Sequence, residues 1–91
     1  MFKIRVSRKA QKVLLIITKK DFERIKEKIQ MLQNNPRPRG CLQLSKNIYR
    51  IRVGRYRIIY QIDDEQKLIH LGKVDRRRED TYRDFEALFT H

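Results

Sequence analysis

Cysteine occurs once in this sequence, at Cys41, so the chain forms no internal disulfide. That scarcity suits a reducing, cytoplasmic compartment. Glycine is almost as rare. Gly40, Gly54 and Gly72 are the only three, and none sits in a GxGxxG or phosphate-loop spacing. CxxC, HExxH and GxSxG are all missing, as is any His/Asp grouping with metal-ligand spacing. Metal, nucleotide-cofactor and serine-hydrolase chemistry are therefore set aside, and no cofactor is expected. Long apolar runs are lacking too. The longest is Val13-Leu14-Leu15-Ile16-Ile17, against the roughly 20 residues that a bilayer-spanning helix needs. No signal-peptide pattern opens the chain. The expectation is a soluble cytoplasmic protein with no membrane association.

Acidic residues are also scarce. Eleven acids face 23 Lys and Arg, a net charge of +12 on 91 residues. Such a length makes one domain, residues 1–91, which buries only roughly 60–65% of its unfolded surface. A small domain so charged repels itself, and its natural counterpart is a polyanion such as nucleic acid. A purely solubilising charge is the alternative. Clustering of the basic residues favours nucleic acid.

What is present is patterned. Phe2, Ile4 and Val6 alternate with Lys3 and Arg5, which predicts a half-buried strand. Ser7 is placed to cap a helix whose apolar face is Ala10, Val13, Leu14 and Ile17. Thr18 and Asp21 have capping-box spacing before a second helix. That helix carries Phe22, Ile25, Ile29 and Leu32 on one face, Lys26, Lys28 and Gln33 on the other, and ends near Asn34–Asn35 before Pro36. From residue 41 the period falls to two. Tyr49, Ile51 and Val53 share a face, and Ile48, Arg50 and Arg52 share the other. Gly54-Arg55 suits a two-residue turn with glycine first. Tyr56, Ile58, Tyr60 and Ile62 then point inward, and Arg57, Ile59 and Gln61 outward. After Asp63-Asp64-Glu65, residues 66–74 form a third strand, with Leu68, His70, Gly72 and Val74 on one face and Ile69, Leu71 and Lys73 on the other. Tyr82, Phe85, Leu88 and Phe89 suit a short C-terminal helix. The fold class is α+β: a small, mainly antiparallel β-sheet, an N-terminal helical hairpin packed on one face, and a short C-terminal helix.

Two basic clusters stand out: Arg50, Arg52, Arg55 and Arg57 on the hairpin, and Lys73, Arg76, Arg77, Arg78, Tyr82 and Arg83 near the C-terminus. Arginine donates two parallel hydrogen bonds to a phosphate and keeps its charge. A tyrosine among arginines can stack on an unpaired base. Solvated sheet face and local ion pairs are the plain alternatives.

"YRIRVGRYRIIYQIDDE" followed by "KVDRRREDTYR" resembles the RelE family of toxin–antitoxin ribonucleases, within the RelE/ParE superfamily. The resemblance covers nearly the whole chain. It implies a type II toxin that cuts mRNA in the ribosomal A site, without metal, by attack of the RNA's own 2′-hydroxyl on the adjacent phosphate. It implies Arg57, Arg76, Arg78 and Tyr82 as catalytic residues, with Arg76 preferred over Arg78. Arg50, Arg52, Arg55, Lys73 and Arg77 are the RNA-binding residues expected on the same resemblance. The implied partners are a cognate RelB-like antitoxin, forming a heteromeric complex, and the ribosome with its mRNA. This sequence departs from relatives that carry lysine at positions 50 and 52. Arginine does not give up its proton at neutral pH, so neither Arg50 nor Arg52 serves as a general base. His70, Asp75 and Tyr82 are the nearby alternatives, and a slow or inactive enzyme is the expected consequence. Competing readings are a toxin of the same fold that inhibits DNA gyrase (ParE-like) and a non-catalytic RNA-binding module.

Overall fold

A computed structural model describes residues 1–76 of the chain. Arg77, Arg78, Tyr82 and the expected C-terminal helix lie outside the described residues. The elements are β1 (Lys3–Val6), α1 (Arg8–Ile16), α2 (Lys19–Asn34), β2 (Leu42–Ser45), β3 (Ile48–Val53), β4 (Tyr56–Asp63) and β5 (Leu68–Arg76). They build a five-stranded sheet in the order β1-β5-β4-β3-β2. All neighbours are antiparallel except β1, which runs parallel to β5. The α+β class is as the sequence indicates.

Local chemistry starts both helices. The Ser7 hydroxyl accepts from the Ala10 N–H at 3.1 Å and donates to the Gly72 carbonyl at 2.8 Å. It therefore caps α1 and ties that helix to β5. The Thr18 hydroxyl accepts from the Asp21 N–H at 3.2 Å, satisfying one of the orphan donors at the start of α2. At the other end of α2, Gln33 is not on the outer face. Its backbone carbonyl accepts from the Phe2 N–H, and its side-chain amide donates to the Phe2 carbonyl. These bonds tie the lead-in to β1 to the helix.

One sheet face is apolar and covered. Tyr49, Ile51, Tyr56, Ile58, Tyr60, Ile62, Ile69, Leu71 and Val74 are buried there with Ala10, Ile25 and Leu32. Tyr49 and Tyr60 stack at 6.0 Å between centroids. Val13, Leu14 and Ile29 are half-buried against this core. Leu15 and Ile16, the outer part of the apolar run, are each 83% exposed.

Gly54 has a φ of +57°, left-handed backbone that glycine adopts without strain, and it opens the β3–β4 turn as the sequence suggests. β5 differs from expectation. The β4–β5 register slips between Ile59, which pairs with Lys73, and Tyr60, which pairs with Leu71. Gly72 is the extra residue of a bulge. The bulge flips the phase of the strand. Ile69, Leu71 and Val74 face the helices, and Leu68, His70, Lys73 and Asp75 lie on the opposite face. His70 therefore does not share a face with Val74, and Lys73 does not share one with Leu71.

Candidate nucleic-acid interface

The sheet face away from the helices is crossed by rows of side chains set by register. In the first row Arg52 on β3 stands opposite Arg57 on β4, which stands opposite Asp75 on β5. The second row runs Leu42, Arg50, Ile59, Lys73. The third runs Ile48, Gln61, His70, Arg5. Directly opposed residues have Cβ atoms roughly 5 Å apart, and successive rows on one face are about 7 Å apart along a strand. Arg50, Arg52 and Arg57 therefore gather within reach of a single phosphate group, and Lys73 flanks them.

The pairing of these charges is uneven. Lys73 Nζ lies 3.0 Å from Asp75 Oδ2. Among the described residues, Arg50, Arg52 and Arg57 make no ion pair. Arg52 and Arg57 form a like-charge pair across strands, which destabilises a sheet. At a separation of ~5 Å the repulsion is about 1 kcal/mol in water, and it is several times larger wherever water is excluded. Arginine side chains can splay apart to limit it. An incoming anion removes it and receives two-pronged hydrogen bonds from each guanidinium.

Arg55 and Arg76 are placed differently. Arg55 is in the β3–β4 turn, and Arg76 pairs in register with Tyr56 on the helix-facing phase of β5. Both line a groove of about 480 Å³ at the end of the sheet, with Val13, Ile16, Tyr56 and Val74 and the acids Asp21 and Asp75. The structure thus brings Arg50, Arg52, Arg57 and Lys73 together, and sets Arg55 and Arg76 around the sheet end. Tyr49, Tyr56 and Tyr60 are core residues, so the open face carries no aromatic ring among the described residues. Its apolar members are aliphatic: Leu42, Ile48, Ile59 and Leu68. No group of three or more His, Cys, Asp or Glu able to hold a metal occurs among the described residues. No helix among them is long and apolar enough to cross a membrane.

Sequence reasoning missed a second arginine site. Arg37, in the loop between α2 and β2, donates to both carboxylate oxygens of Asp64, at 2.8 and 3.2 Å, and to the Tyr49 hydroxyl at 3.0 Å. Its guanidinium also lies 5.3 Å from the Tyr49 ring centroid. The Tyr60 hydroxyl donates to the Pro36 carbonyl at 2.7 Å. Together these bonds clasp the two-proline loop onto the sheet. Hydrogen bonding to Arg37 holds the Asp64 carboxyl below its ordinary value. Burial, with Cys41 beside it, pushes the Tyr60 hydroxyl up. The 27-residue separation of Arg37 from Asp64 left no local signal. The "DDE" turn was the only hint that this exposed loop cation had an acidic partner.

The family model for the ParE toxin of type II toxin–antitoxin systems matches residues 4–81. The chain belongs to the RelE/ParE toxin family. A toxin candidate named RelE1 from Methanocaldococcus jannaschii is 26% identical over 81 residues, spanning 84% of this chain and 90% of that protein. RelE in the archaeal RelE–RelB complex from Pyrococcus horikoshii is 26% identical, covers 86% of this chain and 97% of its own, and superposes with a TM-score of 0.76. The isolated E. coli RelE toxin shares the fold over the whole of both chains, at 17% identity and a TM-score of 0.79.

Proposed function

We propose that this toxin is a ribosome-dependent, metal-independent endoribonuclease that cuts mRNA in the ribosomal A site. The observation that carries the reading is the opposed pair Arg52 and Arg57, with Arg50 one row away and none of the three in an ion pair among the described residues. Such a cluster suits the charge that builds on a phosphate as a 2′-hydroxyl attacks it. Donors fixed in advance at that point stabilise the transition state more than the ground state. Arg57 is the proposed catalytic arginine on this face. Arg50, Arg52 and Lys73 hold the flanking phosphates, and Arg55, at the end of the sheet, meets the strand as it leaves. Arg76 acts from the sheet end, and Arg77, Arg78 and Tyr82 follow it in sequence, outside the described residues.

The proposed partner is a cognate RelB-like antitoxin, by similarity to relatives solved as RelE–RelB complexes from P. horikoshii and E. coli. Leu15 and Ile16, exposed on α1 beside the sheet-end groove, suit the apolar part of such a partner. A cytoplasmic site of action belongs to the same reading. Inhibition of DNA gyrase is the second reading, favoured by the ParE name of the matching family model.

The test is growth after induction, with the 5′ ends of cellular mRNA mapped. The wild type is expected to arrest growth and to leave new ends within codons. Arg57→Ala and Tyr82→Phe are expected to relieve both effects. Arrest without new ends, together with lost supercoiling activity of gyrase, would favour the second reading.

A further inference from the structure

The proposed reaction needs a group to take the proton of the 2′-hydroxyl, and arginine cannot do so. Three acceptors or acids are described on the open sheet face: Asp63, His70 and Asp75. Their places are not equivalent. His70 pairs with Gln61, four residues along β4 from Arg57, or about 13 Å. Asp63 is six residues from Arg57 on the same strand, about 20 Å. Both lie beyond the reach of one scissile phosphate held at Arg57. Asp75 pairs with Arg57 itself.

The bulge at Gly72 makes this placement. Were Gly72 a regular member of the ladder, the phase of Leu71 would continue and Asp75 would face the helices. With it, Asp75 joins the arginine row. Lys73 Nζ holds Oδ2 at 3.0 Å and leaves Oδ1 without a protein donor among the described residues. The carboxylate side chain is 37% exposed, so an incoming hydroxyl can reach it. A carboxylate held by one oxygen, with the other lacking a donor and its residue in register with Arg57, is an arrangement for accepting a proton.

From this placement we infer that Asp75 is the general base of the cleavage step, an inference that rests on the endoribonuclease reading. Asp75 Oδ1 takes the 2′-hydroxyl proton, and the 2′-oxygen forms a bond to phosphorus. The P–O5′ bond breaks, and the 5′-oxygen leaves with its electron pair. Water gives that oxygen a proton, and the hydroxide left behind takes the proton from Asp75. The products are a 2′,3′-cyclic phosphate and a 5′-hydroxyl.

The experiment is single-turnover cutting of mRNA on programmed ribosomes by the wild type, Asp75→Asn and Asp75→Glu, with RNA binding and thermal unfolding measured on the same proteins. Asp75→Asn is expected to cut about 10²–10⁴-fold more slowly. It should bind RNA at least as tightly as the wild type, because a negative charge has left a basic face. Asp75→Glu keeps a carboxylate and is expected to recover part of the rate. Cutting by Asp75→Asn at the wild-type rate would overturn the base assignment and leave the endoribonuclease reading standing. Loss of binding and of the folding transition in both variants would make Asp75 a structural residue. Failure of the wild type itself to cut would remove the endoribonuclease reading, and the base assignment with it.

Discussion

Arg37 and Arg57 serve the same sheet in opposite ways. Arg37 has both prongs on Asp64, a third bond to the Tyr49 hydroxyl, and the Tyr49 ring beneath it. Its charge is neutralised within the protein, and the result is a loop fixed in place. Arg57 faces another arginine on one side, and on the other an aspartate already held by Lys73. Its charge is left for something outside. A chain with 23 basic and 11 acidic residues cannot pair every cation. What distinguishes the two regions is where the few acids are spent: one closes a structural clasp, and the open face is left largely positive. Function is proposed for the second region because three arginines gathered on one sheet face, none in an ion pair among the described residues, are unfavourable until an anion arrives.

The largest effect that would break this contrast is on activity. Arg57→Ala is expected to lower ribosomal mRNA cutting by about 10²–10³-fold while leaving the thermal unfolding transition in place. Loss of the fold instead would make Arg57 a structural residue like Arg37. Next in size is the response of RNA binding to salt. If the open face meets about four phosphates of a single strand, log Kd plotted against log salt should have a slope of magnitude near 3, and removing Arg52 should flatten it. The clasp should give the reverse pattern. Tyr60→Phe removes the bond to the Pro36 carbonyl and is expected to lower stability by about 1–2 kcal/mol with little effect on RNA binding. The same hydroxyl carries a pH dependence. Its pKa is raised on folding, so its contribution is intact below about pH 10, where an unfolded tyrosine titrates, and is lost as pH rises further. Tyr60→Phe should remove that part of the alkaline unfolding. The smallest effect belongs to Asp64→Asn. The Asp64 carboxyl is lowered by Arg37, so the pair stabilises at neutral pH and loses its effect as acid protonates it. Thermal scans of wild type and Asp64→Asn should differ slightly at pH 7 and converge in acid and at high salt.

The elements of this fold were legible because each rests on local chemistry. Ser7 and Thr18 mark helix starts by hydroxyls that cap neighbouring amides. The alternation from Tyr49 to Ile62 separates a covered face from an open one, and Gly54 marks the turn between. What was not legible depends on contacts between distant segments. β1 pairs with β5 in parallel across more than 60 residues of chain, and no local pattern specifies that neighbour. The register slip at Gly72 changes which residues of β5 face outward, and strict alternation carried past it gave the wrong phase for Lys73 and Val74. A glycine inside a strand is the usual sign of such a bulge, and Gly72 was that sign. For the site, the cluster of Arg50, Arg52 and Arg57 followed from strand parity alone. The separation of Arg76 from that row, and the approach of Asp75 to it, both followed from the bulge.

The most direct test of the account is primer extension on an mRNA in a purified translation system, with and without ribosomes, using the wild type and Arg57→Ala. Cuts within codons that need both the ribosome and Arg57 are the predicted result. An unchanged pattern with Arg57→Ala, or no cuts by the wild type in either condition, would contradict the claim that the unpaired arginines of the open face are the working surface of this toxin.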